Sequence, residues 1–343
     1  MSRPSTPRLL AGSATALIAI LTTGAASATT PPVTDAEVLR VEHEFGVTEI
    51  DGVPKRVVSI GLTEQDALLA LGVEPVAVTE WYGGFDYATW PWAIDELGGA
   101  EPEVLTAPDG FDYERIASLA PDLIIGTNAG IDEESYALLS AIAPTVAQPS
   151  GSPPYFGPWD DQTLLIGAAV GQPDEARQLV DEVRGRFADA AAAHPEFSDV
   201  PAVFLQNAFY DGNAIAYQDG LSTAFLTDLG FVIPSEIDEF VDDTAAQAFI
   251  PLEQLSVLDA AEVLIWATEN DGDRAALEEE PVYLGLQPVR EGRQVFTGGL
   301  LSGAIYFTSV LSLPYVLETL VPALADTLAG DGPVTVEVPT TVG

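Results

Sequence analysis

The sequence predicts an α/β protein in which two α/β lobes, each with a mainly parallel central sheet, are joined by one long rigid helix. The chain has 343 residues, which is enough for two domains with sizeable cores. Short apolar runs rich in β-branched residues alternate with helical patterns in both halves, as expected for sheets buried on both faces. Between the halves, apolar residues recur at helical spacing for about five turns before Pro195.

The N-terminal half divides into a short leader and a lobe. Residues 29–52 are predicted to form an N-terminal leader with edge strands, and residues 53–172 the N-terminal α/β lobe. Thr63 is expected to cap a helix that stops at Gly72. Buried strands are predicted at 56–60, 76–78, 122–126 and 145–147, and helices at 63–71 and 135–142.

The C-terminal half repeats the alternation. Residues 173–194 are predicted to form the connecting helix, residues 195–329 the C-terminal α/β lobe, and residues 330–343 a flexible tail. Strands are predicted at 202–205, 215–217, 262–267 and 294–297, and helices at 222–229 and 315–328.

Residues 1–28 are typical of a secretory signal peptide. Arg3 and Arg8 precede an apolar stretch, residues 9–21, and Ala26-Ser27-Ala28 then gives a small-residue cleavage pattern. The apolar stretch is shorter than the roughly 20 residues that a membrane span needs. We therefore expect a mature chain without a transmembrane segment, located outside the cytoplasmic membrane, either secreted or in the cell envelope.

Charge and composition exclude several classes of protein. The chain carries 53 Asp and Glu against 12 Lys and Arg, a formal charge of −41, so nucleic-acid binding is not expected. The absence of Cys excludes disulfides, thiolate nucleophiles and Cys-ligated metals. The two histidines, His43 and His194, are far apart in the sequence, and no nucleophile elbow, P-loop or dinucleotide-binding motif occurs. We expect a monomer that is not an enzyme and holds neither a cofactor nor a metal of its own.

Aromatic residues follow the predicted strands, and open α/β sheets bind their ligands outside the carboxyl ends of the strands. Six aromatic residues fall within the twelve positions 81–92, directly after one strand. An aromatic-lined cleft between the lobes is therefore predicted, although the alternative for some rings is that they pack loop cores. The predicted ligand-binding residues are Trp81, Tyr82, Phe85, Tyr155, Tyr210, Trp266, Arg274 and Tyr306.

Five segments carry a resemblance to a known family. They are RVVSIGLTEQDALLALGVEPVAV, ERIASLAPDLIIGTNAG, LSAIAPTVA, PVREGRQVF and LSLPYVLETLVPAL, and the likeness extends from about Val41 to about Leu328. In this order they resemble the iron–siderophore substrate-binding proteins of ABC importers, a superfamily that also contains cobalamin and haem binding proteins. The resemblance implies two lobes with limited hinge motion, which capture a ferric siderophore between them and deliver it to an ABC transporter permease.

Glu114 and Glu253 occupy corresponding places in the two halves. Each opens a pattern of Glu, an aliphatic residue and Leu at offsets 0, +2 and +5, followed by a strand. In the family that the chain resembles, a surface Glu on each lobe docks onto Arg residues of the permease, and these two positions match. The alternative is that each carboxylate stabilises the first turn of a helix, with Asp112 as an N-cap and Pro251 as an N1 residue.

One position departs from the pattern of the family. Lipoproteins of the family carry lipid on a Cys that ends a Leu-x-x-Gly-Cys type box, whereas here Leu21-Thr22-Thr23-Gly24 is followed by Ala25. Because the lipobox Cys is absent, we do not expect lipid anchoring.

The scarcity of basic residues bears on the ligand. A strongly anionic ferric tricatecholate needs several Arg or Lys side chains in the cleft, and few could reach it. A neutral or cationic ferric hydroxamate is favoured, because aromatic faces and a negative field suit it. The alternatives are cobalamin or haem and, in a different class, the substrate of a secreted hydrolase or lyase.

Overall fold

A computed structural model describes residues 38–106, 110–241 and 247–336. The predicted signal peptide, residues 1–28, and the first part of the predicted leader, residues 29–37, lie outside these residues. The described chain begins with an antiparallel hairpin, β1 (Val38–His43) and β2 (Gly46–Asp51), where the sequence indicates edge strands. No helix among the described residues has both the length and the apolar character of a membrane span.

The N-terminal lobe is built on a five-stranded sheet in which every pairing is parallel. Its strands are β3 (Val57–Ser59), β4 (Ala77–Thr79), β5 (Glu103–Leu105), β6 (Leu123–Ile125) and β7 (Thr145–Val146), in the order β5-β4-β3-β6-β7. Every residue of β3, β4 and β6 is buried, as expected for a sheet covered on both faces. The helices are α1 (Glu64–Ala70), α2 (Ile94–Leu97), α3 (Tyr113–Ser118), α4 (Glu133–Ser140) and α5 (Trp159–Ala169).

The connecting helix predicted from the spacing of apolar residues is α6 (Pro173–Ala193). Its 21 residues correspond to a length of about 31 Å. One face is buried, through Ala176, Val180, Val183 and Phe187, and Pro173 occupies the start of the helix, where a missing N–H costs nothing. This helix links the two sheets, so the predicted architecture of two lobes with mainly parallel sheets is confirmed.

The C-terminal lobe is built on a six-stranded mixed sheet in the order β10-β9-β8-β11-β12-β13. Its strands are β8 (Ala202–Tyr210), β9 (Asn213–Ala216), β10 (Ala248–Pro251), β11 (Val263–Ala267), β12 (Gln294–Phe296) and β13 (Val334–Thr335). The pairings among β8, β11, β12 and β13 are parallel, whereas β9 and β10 add an antiparallel edge. The helices are α7 (Ala224–Thr227), α8 (Asp271–Glu279), α9 (Pro281–Leu284), α10 (Gln287–Arg290), α11 (Gly298–Tyr306) and α12 (Ser312–Ala329).

The C-terminal segment differs from the flexible tail that the sequence predicts for residues 330–343. Val334 and Thr335 pair in parallel register with Val295 and Phe296, and Arg274 donates a hydrogen bond from Nη1 to Thr335 Oγ1 at 2.6 Å. Within the described part of the tail, Val334 and Thr335 therefore form an edge strand of the C-terminal sheet. Residues 337–343 lie outside the described residues.

Candidate ligand-binding cleft

Two adjoining cavities lie at the carboxyl ends of the central strands, the larger in the N-terminal lobe and the smaller between the lobes. Their volumes are about 810 Å³ and about 540 Å³, within the usual range for small-molecule sites. Leu62, Trp81, Tyr82 and Tyr155 line both cavities, so the two form one continuous cleft. The larger part is lined by the N-terminal lobe, and the smaller part reaches residues of both lobes.

The N-terminal wall of the cleft follows β4, which ends at Thr79. Trp81 lies directly beyond this end, and its ring centroid is 5.0 Å from that of Phe307 and 6.3 Å from that of Tyr306, both in the C-terminal lobe. Tyr82 donates a hydrogen bond to the carbonyl oxygen of Gly299 at 3.2 Å, which joins the lobes directly. The aromatic residues of this wall therefore also contact residues of the opposite lobe.

Tyr155 lies over the backbone of Gly130. Gly130 has a φ of +62°, and a methyl group at its α-carbon would overlap the Tyr155 ring, so only glycine suits both the turn and the contact. The Tyr155 side chain keeps 41% of its surface exposed and lines both cavities. A ligand in the cleft would therefore have access to this ring.

The C-terminal wall carries tyrosine hydroxyls within a polar network. The Tyr306 hydroxyl lies 2.6 Å from Asn207 Oδ1, 3.1 Å from the carbonyl oxygen of Ala267 and 3.1 Å from Glu269 Oε1. Tyr217 donates to Gln206 Oε1 at 3.3 Å. Burial, and to a lesser degree the charge of Glu269, raises the pKa of both Tyr306 and Tyr217, so these hydroxyls stay protonated and can donate.

The charged side chains that line the described cleft are all carboxylates. Glu80 and Asp132 line the larger cavity and Glu269 the smaller one, and no Lys or Arg of the described residues lines either. Arginines instead pair with surface carboxylates; such pairs are Arg40 with Glu49, Arg115 with Glu103, Arg184 with Asp160, Arg274 with Glu278, and Arg293 with Glu262. The cleft therefore presents a negative field to a ligand.

The structure brings four of the eight predicted ligand-binding residues into the cleft, namely Trp81, Tyr82, Tyr155 and Tyr306. Trp266 is instead fully buried, because it lies within the central strand β11 and packs edge to face against Tyr283. Tyr210 is 69% exposed at the far end of β8, since this strand runs five residues beyond the predicted 202–205. Neither residue belongs in the contact set of this cleft.

Phe85 and Arg274 also have structural places outside the cavities. The Phe85 ring packs 4.8 Å from that of Trp90, between centroids, in the loop after β4. The Arg274 guanidinium lies 4.6 Å above the centre of the Phe296 ring and pairs with Glu278, in addition to its bond to Thr335. This arginine thus holds the last strand against the sheet and is already paired.

The sequence did not single out several polar residues that line the cleft. Gln206 and Gln247 are joined by a hydrogen bond of 2.9 Å, and Glu269 follows β11 by two residues. A position after a strand end predicts a binding residue, and Glu269 has such a position. The chain contains 53 Asp and Glu, however, so the sequence did not distinguish Glu269 from the other acidic residues. The other lining residues that were not predicted include Glu80, Asp132, Phe156, Tyr217 and Phe307.

The two glutamates assigned to docking are exposed, one on each lobe. Glu114 lies in the first turn of α3, whose N-cap Asp112 accepts a hydrogen bond from the backbone N–H of Arg115 at 2.9 Å, as predicted. Glu253 lies in the first turn of the 3₁₀ helix Leu252–Ala260, where Pro251 is the N-cap and not the predicted N1 residue. Both carboxylates are therefore accessible to a partner.

Comparisons with known proteins agree with this architecture. A periplasmic solute binding protein from Mycobacterium smegmatis is 47% identical, with a TM-score of 0.79 over 85% of this chain and 99% of that one. PiaA of Streptococcus pneumoniae, solved in complex with ferrichrome, is 26% identical, with a TM-score of 0.74 over 85% of this chain and 99% of that one. The probable siderophore-binding lipoprotein YfiY of Bacillus subtilis is 31% identical over 68% of this chain and 71% of its own length.

The sequence pattern of the periplasmic binding protein family matches residues 57–299, which span most of both lobes. This range contains the ends of the strands that form the cleft, together with α6 between the lobes. Family, fold and cleft thus agree with the resemblance found in the sequence: the chain belongs to the periplasmic binding protein family.

Proposed function

We propose that the protein captures a ferric siderophore in the cleft between its lobes and presents it to an ABC transporter permease. The observation that carries this proposal is the continuous cleft lined by aromatic rings from both lobes. Its volume suits a ligand of several hundred daltons, and capture between two lobes requires contacts to both. The relatives named for siderophore binding, and PiaA with its bound ferrichrome, support this ligand class.

A ferric hydroxamate is the favoured ligand. Anionic complexes such as ferric citrate or a ferric tricatecholate need cationic partners, whereas the charged groups lining the described cleft are carboxylates. A trihydroxamate neutralises Fe³⁺ with its own oxygens, so it brings no negative charge to this wall. Its aliphatic linkers can pack on the faces of Trp81, Tyr155 and Phe307.

Delivery to a permease is assigned to Glu114 and Glu253. Each is an exposed carboxylate on a different lobe, and acidic knobs so placed can pair with arginines of a membrane partner and steer the encounter. The predicted signal peptide supports a location outside the cytoplasmic membrane. Because Ala25 stands where the lipobox Cys would be, we propose that the protein acts without a lipid anchor. We also propose that it acts as a monomer.

A calorimetric titration against a ligand panel tests the function. The panel contains ferrioxamine B, ferrichrome, ferric citrate, a ferric tricatecholate, haem and cobalamin. We expect submicromolar binding of a ferric hydroxamate at one site per chain, without conversion of the ligand. Tighter binding of ferric citrate or the tricatecholate would contradict the hydroxamate assignment, and binding of haem or cobalamin alone would contradict siderophore capture.

A further inference from the structure

Glu269 is a cleft carboxylate without a basic partner among the described residues. It lies two residues beyond β11 and lines the part of the cleft that both lobes share. No salt bridge of the described residues includes it. Among the described residues, its carboxylate makes one side-chain hydrogen-bond contact, with the Tyr306 hydroxyl at 3.1 Å from Oε1.

The Tyr306 hydroxyl leaves the acceptor capacity of Glu269 largely free. A phenol has a single proton to donate, and the acceptor nearest to this hydroxyl is Asn207 Oδ1 at 2.6 Å. A carboxylate has about four acceptor positions, so Glu269 can accept several more hydrogen bonds from a ligand.

The backbone holds Glu269 in place. Its N–H donates to Asp273 Oδ2 at 2.7 Å, and the same carboxylate forms the capping box of α8 with Asn270. Its carbonyl oxygen lies so close to Gly299 that a β-carbon there would be 2.7 Å away. A ligand therefore meets a carboxylate whose backbone is already positioned by two elements of the lobe.

The surroundings of Glu269 are those of a cation site. The aromatic rings of Trp81, Tyr306 and Phe307 line the same cavity, and aromatic faces attract cations. An anionic group on the ligand would face repulsion here, and a neutral one would leave the carboxylate desolvated without compensation.

We propose that Glu269 is a specificity-determining residue that pairs with a cationic group, such as a primary ammonium, on the bound ferric siderophore. The inference rests on the proposed function and adds that the preferred ligand has a net positive charge.

Two iron complexes that differ by one charge test this inference. Ferrioxamine B carries a free ammonium group, and its N-acetyl derivative has the same iron centre without that charge. Dissociation constants are measured by calorimetry, at low salt and neutral pH, for the wild type, Glu269→Gln and the control Glu279→Gln. Glu279 is an exposed residue of α8 on the same lobe, so the control removes the same charge outside the cleft.

The wild type and the control are expected to bind the cationic complex about 10- to 100-fold more tightly than the acetylated one, as for a hydrogen bond between charged groups. In Glu269→Gln this ratio should fall to near one, chiefly through weaker binding of the cationic complex. An equal ratio in the wild type and Glu269→Gln would overturn the inference and leave the proposed function standing. Failure of both complexes to bind the wild type would overturn the hydroxamate assignment together with the inference.

Discussion

Trp81 lies between the aromatic rings of the two lobes. Its centroid is 4.2 Å from that of Tyr82 in its own lobe and 5.0 Å from that of Phe307 in the other. It lines both cavities, and its Nε1 is a buried donor without an acceptor in the described residues. A ligand group in the cleft could therefore stack on the exposed part of this ring.

We expect Trp81→Ala to weaken binding of ferrioxamine B by about 30- to 1,000-fold, the usual range for an aromatic hot spot. Tyr210→Ala is the matched control, because this exposed tyrosine lies outside the cleft. Its dissociation constant should stay at the wild-type value. Calorimetry on the folded variants measures both affinities. If both variants lose affinity equally, or if neither loses affinity, the placement of the cleft is refuted.

Asp66 is a buried carboxylate that joins the lobes. Its Oδ2 accepts hydrogen bonds from Trp92 Nε1 at 2.8 Å and from Ser309 Oγ at 2.5 Å. Burial raises its pKa to about 6, against an ordinary value of 3.8, and the hydrogen bonds offset only part of this effect. The folded state therefore keeps the Asp66 proton at a pH where the unfolded chain has lost it.

This raised pKa predicts that the stabilising contribution of the protonated form is complete below about pH 4 and is lost as the pH rises through about 6. Asp66→Asn retains an acceptor but cannot ionise. The free energy of unfolding of the wild type should fall by roughly 1 kcal/mol more than that of Asp66→Asn between about pH 5 and about pH 8. Urea titrations measure this difference, and Asp189→Asn, an exposed change on α6, should retain the wild-type slope. Parallel slopes for Asp66→Asn and wild type would disprove the shift.

At the scale of elements, β13 completes the C-terminal sheet. It covers the edge of β12, and the backbone N–H of Val336 donates to the carbonyl oxygen of Phe296 at 2.8 Å. Arg274 adds its contact to Thr335 from α8. The strand thus satisfies backbone groups that an exposed edge would leave open to pairing with other chains.

Truncation after Gly330 should destabilise the protein by roughly 1–3 kcal/mol, the net value of a few hydrogen bonds. Truncation after Val336 is the control, since it retains every contact of the described strand. Thermal unfolding should show a lower Tm for the shorter chain alone. If both truncated chains have the Tm of the full-length protein, β13 contributes no stability.

At the scale of the molecule, the two lobes touch beside the cleft. Besides the Asp66 contacts, Tyr82 bonds to Gly299, and a β-carbon on Gly303 of α11 would overlap the Trp90 ring. One hydrophobic core also includes residues of both lobes, such as Leu123 of β6 and Ile265 of β11, together with Val180 of α6. These contacts are consistent with the limited hinge motion that the family resemblance implies.

Docking by both lobes predicts the behaviour of charge-reversed variants. Glu114→Arg combined with Glu253→Arg should leave the affinity for ferrioxamine B unchanged, because both residues are exposed and outside the cavities. Uptake of the radiolabelled iron complex by cells should be abolished, since like charges across an interface cost several kcal/mol. The control, Glu175→Arg with Glu318→Arg, makes the same change of charge on α6 and α12. Normal iron uptake with Glu114→Arg and Glu253→Arg would refute the docking role of these residues. Loss of uptake with the control variant would refute it as well.

The sequence alone determined the α/β class, the connecting helix and the places of Glu114 and Glu253. These features follow from local signals, namely apolar spacing along α6 and a capping residue such as Asp112. The aromatic run after β4 also pointed to Trp81 and Tyr82, which line the cleft, because the sequence shows which residues come directly after a strand end.

The tertiary structure decided which side chains face the cleft. Trp266 and Tyr306 both follow apolar runs, yet β11 directs Trp266 into the core while α11 places Tyr306 at the cleft. Tyr210 is displaced because β8 continues as a hairpin with β9, and Val334 joins the sheet because β12 offers it an open edge. Strand length, sheet edges and the face of a side chain depend on partners distant in the sequence, which local patterns do not encode.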